Sequence, residues 1–154
     1  MQINIAPLPA DFLHRVRTLG VDDQGQPVRR LIAKGGEPCR DVLRRAQPGE
    51  ELILASFSPF TQSGPYKEFG PVFLLANASD ESTDRDAFPT TQGYLRERFV
   101  LRAYSSDESI LDAVMLTPED YDATLAKYLA SPEVAFVHAR FPTYGCFACR
   151  IDRT

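Results

Sequence analysis

The chain has 154 residues, 44% apolar and 25% charged, enough to bury a hydrophobic core without disulfides or metals and far from a disordered composition. Seventeen basic against 21 acidic side chains give a net charge of −4, which argues against a nucleic-acid partner. No run reaches the roughly 18 apolar residues of a membrane span, and the opening segment lacks the basic and apolar regions of a signal peptide.

Three cysteines, an odd number in a chain that needs no staples, point to free thiols in a reducing cytoplasm. Of the basic residues, 14 are arginine and 3 lysine. Arginine's planar fork suits carboxylates and phosphates, although genomic composition explains the same bias.

In chain order, "QINIA" at 2–6 reads as a strand. A helix is predicted over 9–20, with Pro9 in its first turn, Gly20 as its stop, and Phe12, Val16 and Leu19 on the face toward a sheet. "DDQGQP" is a turn, and "VRRLIAK" is a strand ended by Gly35-Gly36. The apolar runs at 51–57 and 70–76 read as strands covered on both faces.

Between those runs lies the irregular stretch "SPFTQSGPYKEFG". Tyr66 and its neighbouring glycines there fit either a structural corner or a loop whose amides approach a ligand. The acidic segment 77–93 lacks EF-hand spacing and reads as a solvated loop. "RFVLRAY" and "SILDAVML" are two further strands.

"TPEDYDATLAKYLA" is the clearest helix, with Thr117 as N-cap, Pro118 at the first helical position and Asp120 as the capping acid. "EVAFVHARF" and "YGCFACRID" close the chain as a hairpin about "PTYG". Strands and helices do not alternate, so one α+β domain over 1–154 is expected, with a mainly antiparallel sheet and two principal helices.

Cys146 and Cys149 form a C-x-x-C, but on a strand residues three apart point to opposite faces. Alternation groups Phe147, Cys149 and Ile151 on one face and Cys146, Ala148 and Arg150 on the other, leaving Cys149 as a core residue. His138 joins one face or the other according to hairpin register. A histidine and an arginine beside Cys146 would favour a thiolate. A lone strand histidine is more often a satisfied, half-buried residue. Zinc would need Cys39, Cys146, Cys149 and His138 together on unsuitable backbone, so neither a metal nor another cofactor is expected.

The ordered motifs "EPCRDVLRRAQPGEELILASFSPF", "SGPYKEFGPVFL", "LRAY" and "GCFACRIDR" resemble the bacterial family called domain of unknown function 1203, from about residue 37 onward. The resemblance implies a small single-domain bacterial protein and brings no assigned activity with it. It also implies that Cys39-Arg40 and Cys146 hold family positions, with a histidine at or near His138, and that Cys149 is an addition.

Asp41, Arg44 and Arg45 read as ordinary surface charges, and no nucleophile elbow, zinc-protease helix or paired-carboxylate spacing is present. Three functions stay open. One is binding of a small anion anchored by Arg40 and Arg150 with Tyr66 packed on it. Another is thiol chemistry at Cys146 or Cys39 with His138 as partner. The last is an interaction protein, such as a homodimer paired through a sheet edge.

Overall fold

The computed structural model describes residues 2–90 and 93–154; Met1 of the opening segment and Thr91 and Gln92 of the predicted 77–93 loop lie outside them. The chain builds two five-stranded sheets and two helices among the described residues, an α+β architecture as expected. The first sheet contains β1 (Ile3–Ala6), β7 (Phe99–Tyr104), β8 (Ile110–Leu116), β9 (Phe136–Arg140) and β10 (Phe147–Arg153). Its order is β1-β10-β9-β7-β8, antiparallel throughout. The second contains β2 (Arg29–Ile32), β3 (Pro38–Cys39), β4 (Arg44–Arg45), β5 (Glu51–Phe57) and β6 (Gly70–Leu75). Its order is β2-β5-β6-β3-β4, and only β3 and β6 run parallel.

The first predicted helix forms, with a change of type midway. The α-helix α1 (Ala10–His14) continues as a π-helical segment, Arg15–Leu19, and Gly20 ends it at φ 69. Phe12 and Val16 are buried as expected, but the wider π turn carries Leu19 off the packed face, leaving it 61% exposed. The second helix, α2 (Tyr121–Ala130), starts later than its capping signature indicates. Thr117 donates its hydroxyl to Asp120 at 2.9 Å and caps no backbone N–H, because residues 117–120 form a turn ahead of the helix.

Each sheet buries its faces differently. Leu101, Val137, Ala139, Cys149 and Ile151 of the first sheet pack with Leu125 and Leu129 of α2. Ile53, Ala55, Val72 and Leu74 of the second pack under Phe12 and Val16. On the opposite face of that second sheet, Leu52 and Leu75 lie beneath Ala33, Cys39 and Ala46, while Leu54 and Phe73, paired across β5 and β6, line an open cleft. The expectation of two fully covered strands therefore holds over only part of their length.

Strict alternation in the C-terminal strand is broken by a bulge. Phe147 pairs with Arg140 and Cys149 with Ala139, so one extra residue is accommodated between them. The bulge turns Phe147 away from Cys149 and Ile151, into the cluster with Phe12 and Phe57, and keeps Ala148 with Cys149 in the other core. The predicted grouping of Phe147 with Cys149 and Ile151 is thereby corrected, whereas Cys149 is the core residue expected.

Candidate functional site

The cleft has a volume of about 1080 Å³. Its apolar floor is Leu54, Pro71 and Phe73 from the uncovered part of the second sheet. Arg40 enters from the tight turn joining β3 to β4 and Arg45 from β4 itself, Leu95 to Arg98 from the approach to β7, and Phe141 to Tyr144 with Cys146 from the β9–β10 turn. Arg96 holds a left-handed backbone at φ 61, which costs a non-glycine residue about 1–2 kcal/mol. Strained backbone of this kind tends to gather at functional sites.

Four arginines line the cleft, Arg40, Arg45, Arg96 and Arg98, with Glu97 the one acidic residue among the lining. Among the described residues none of the four forms an ion pair. The contrast with the adjacent Arg44 is direct, since Glu50 and Glu81 bind it at 2.8 and 2.7 Å.

Arg40 is only 4% exposed. Its Nε donates to the Phe147 carbonyl at 2.9 Å and its Nη1 to the Pro38 carbonyl at 2.8 Å, and Nη2 makes no hydrogen bond to a described residue. Arg45 donates to the carbonyls of Tyr94 and Gly36 at 3.0 and 2.8 Å. Both guanidinium carbons lie 5.1 Å from the centroid of the Phe141 ring, a cation–π arrangement that holds two positive charges near one another. Burial lowers the pKa of Arg40, and burial together with the Arg96 charge brings Arg45 down to about 10.

Cys146, half-buried, is the only cysteine on the cleft wall. Its thiol points toward the Tyr144 carbonyl at 3.8 Å. Cys39 lies wholly buried in the core beneath the second sheet, where desolvation pushes its thiol up to about 12.

His138 occupies a third environment. It stands on the central strand β9 between Arg102 of β7 and Arg150 of β10, fully buried, with Phe60, Tyr104, Phe136 and Phe147 within 5.3 Å between ring centroids. Its Nδ1 lies 3.4 Å from Arg140 Nη2, and its Nε2 has no hydrogen-bond partner among the described residues. Burial, then the charges of Arg140, Arg150 and Arg102, lower its pKa far enough to keep it neutral.

The fold thus gathers Arg40 and Cys146 at one cleft, with Cys39 in a core and His138 in an aromatic cage. Arg150 pairs with Asp152 at 2.9 Å, covers the Phe136 ring at 4.0 Å, and lines a second cavity of about 290 Å³ whose wall also includes Arg40. Tyr66 is 42% exposed and lines neither cavity. Among the described residues no three His, Cys, Asp or Glu side chains are placed to hold a metal, and no helix is long and apolar enough to cross a membrane.

A family model described as "Protein of unknown function (DUF1203)" matches residues 36–153. The chain belongs to this family. The DUF1203 match takes in every cleft-lining residue, from Pro38 to Cys146. No curated protein and no solved structure gives a significant match.

Within this DUF1203 chain, sequence reasoning located Arg40 and Cys146 but missed Arg45, Arg96, Arg98, Phe141 and Tyr144. Arg45 was expected on the ordinary surface together with Asp41 and Arg44. Instead Arg45 lines the cleft, while Asp41 is nearly buried, accepting from Arg17 Nη2 at 2.8 Å and from the Leu75 amide at 3.3 Å. The doublet "RR" and the "RER" of residues 96–98 were the available signal, and nothing in their spacing reveals that they meet.

Proposed function

We propose that this protein binds a small anionic molecule carrying an apolar or aromatic body, seated in the arginine-lined cleft. One observation carries the reading: four arginines line one cleft with no ion-pair partner among the described residues, and Arg40 among them is almost fully buried. A buried cation with two neutral carbonyls for partners retains a large desolvation cost that a bound carboxylate or phosphate would offset.

Arg40 and Arg45 are the anchors, held by their carbonyl partners and by Phe141. Leu54, Pro71 and Phe73 take the apolar part of the ligand, and Tyr144, 87% exposed, covers its outer side. A pocket that is mainly apolar with a few fixed polar groups is the usual design of a small-molecule site. Arg150 stands on the wall of the second cavity, which Arg40 also lines, together with its ion-pair partner Asp152. This reading takes the protein to be bacterial and cytoplasmic, with its thiols reduced.

Calorimetric titration at fixed salt with benzoate, phenyl phosphate, benzyl alcohol and benzylamine tests it. The two anions should bind and the neutral and cationic analogues should not. Each of Arg45→Gln and Arg96→Gln should weaken the anions about tenfold or more, as removal of a charge-assisted hydrogen bond worth about 1.5–3 kcal/mol would. Equal behaviour of all four compounds, or undiminished anion affinity in both variants, would overturn the proposal.

A further inference from the structure

The cleft holds a thiol as well as cations, and the three cysteines of the chain differ sharply in what can reach them. Cys39 and Cys149 are 0% and 2% exposed, whereas Cys146 opens onto the cleft. Burial pushes the thiols of Cys39 and Cys149 both up to about 12.

Arg40 and Arg45 line the same cleft as Cys146, so an anion held by these arginines shares the cleft with the thiol. The thiolate is the form of cysteine that reacts, and Cys146 is the cysteine an incoming molecule held in the cleft can reach.

We infer that Cys146 is a thiol–disulfide exchange site selective for small disulfides that carry carboxylates, which the cleft arginines hold while the thiolate attacks. This rests on the anion-binding reading above. The Cys146 thiolate forms a bond to one sulfur of RS–SR, the S–S bond breaks, and the departing RS⁻ takes up the proton that Cys146 released. Cys146 is oxidised to a mixed disulfide, half of the incoming disulfide is reduced, and the disulfide itself is the oxidant. The retained half keeps its carboxylate beside Arg40 and Arg45.

The probes are 5,5′-dithiobis(2-nitrobenzoate), an anionic aryl disulfide, and cystamine, a cationic one. Each rate is divided by the rate of a short unstructured cysteine peptide with the same reagent, which removes intrinsic reactivity. The anionic probe should show a normalised advantage of tenfold or more, peptide mapping should place the label on Cys146, and the advantage should shrink several-fold in Arg45→Gln or Arg96→Gln. Either variant serves if the other fails to fold.

Labelling of Cys39 or Cys149 ahead of Cys146, a normalised advantage below twofold, or an advantage unchanged in the folded arginine variants would overturn the inference. Cys146→Ser titrated with benzoate separates this failure from failure of the underlying reading. If benzoate binds Cys146→Ser while the thiol shows no charge preference, anion binding stands and the exchange site falls. If benzoate also fails to bind, both fall.

Discussion

Arg40 and Phe147, 107 residues apart in the chain, are joined by a buried hydrogen bond of 2.9 Å from the guanidinium Nε to the main-chain carbonyl. The bond links the turn after β3 in one sheet to the bulge of β10 in the other, so the residue that charges the cleft also ties the two sheets together. Replacing Arg40 with Met should cost about 2 kcal/mol, because two buried carbonyls lose a charged donor while the desolvation of the cation is relieved. Urea unfolding measures it, and an unchanged midpoint would mean that the bond contributes nothing net.

Gly36 makes room for Arg96. A Cβ placed there would lie 3.1 Å from Arg96 Nη2, and the backbone sits at φ 95. Gly36→Ala should therefore destabilise by about 1 kcal/mol or more through backbone strain. It should also displace the Arg96 guanidinium and weaken benzoate binding. Calorimetry alongside urea unfolding checks both effects.

Tyr94 provides a contrast. It is fully buried and donates its hydroxyl to the Ala148 carbonyl at 2.7 Å, while its ring meets the edge of Phe141 at a centroid distance of 5.5 Å. Tyr94→Phe keeps the ring and removes the donor. The expected loss is about 1–2 kcal/mol of stability, with anion affinity unchanged, because the Phe141 platform is preserved.

The buried His138 makes stability depend on pH in a definite direction. Its folded pKa is lowered well below the ordinary 6.5, so on acidification the unfolded chain takes up the proton first. The contribution is complete above about pH 6.5 and is lost as pH falls, by up to about 1.4 kcal/mol per unit. His138→Phe, matched to its aromatic cage, should flatten that part of the profile. Urea midpoints at several pH values between 5 and 7.5, on the order of the interval where free histidine titrates, compare the two proteins. Parallel profiles would contradict a buried neutral histidine.

Glu108 pins the irregular 58–69 segment. Its carboxylate accepts from the Thr61 and Gln62 amides at 3.0 and 2.6 Å, and the same segment returns through Glu68, which pairs with Arg140. Glu108→Ala leaves those two amides without an acceptor and should cost about 2 kcal/mol. Faster hydrogen exchange concentrated at Thr61 and Gln62 is the specific sign to look for. Protection unchanged there would refute the role.

Local patterning determined much of this protein in advance. Apolar runs, Gly and Pro punctuation and the helical spacing of Leu125, Tyr128 and Leu129 depend on near neighbours, so the longer strands, both helices and the α+β class were legible, whereas the two-residue strands β3 and β4 were not. Cys146 lies ahead of β10, in the turn that lines the cleft, but the place of Cys149 in the core also followed from the period of a strand. The bulge at Phe147 did not, because one extra residue is absorbed only against a partner strand, and it reverses the facing of everything before it.

Convergence was likewise beyond the sequence. Arg40 comes from a tight turn and Arg45 from the short strand β4 after it, Arg96 and Arg98 from a strand approach some 50 residues later, and Phe141 and Cys146 from the last hairpin. Which charges find carboxylates and which remain unpaired is settled by long-range packing: Arg44 meets Glu50 and Glu81, while Arg45, its neighbour in sequence, turns to Phe141. The residue types were readable one at a time; the cleft exists only once both sheets and the final turn have come together around them.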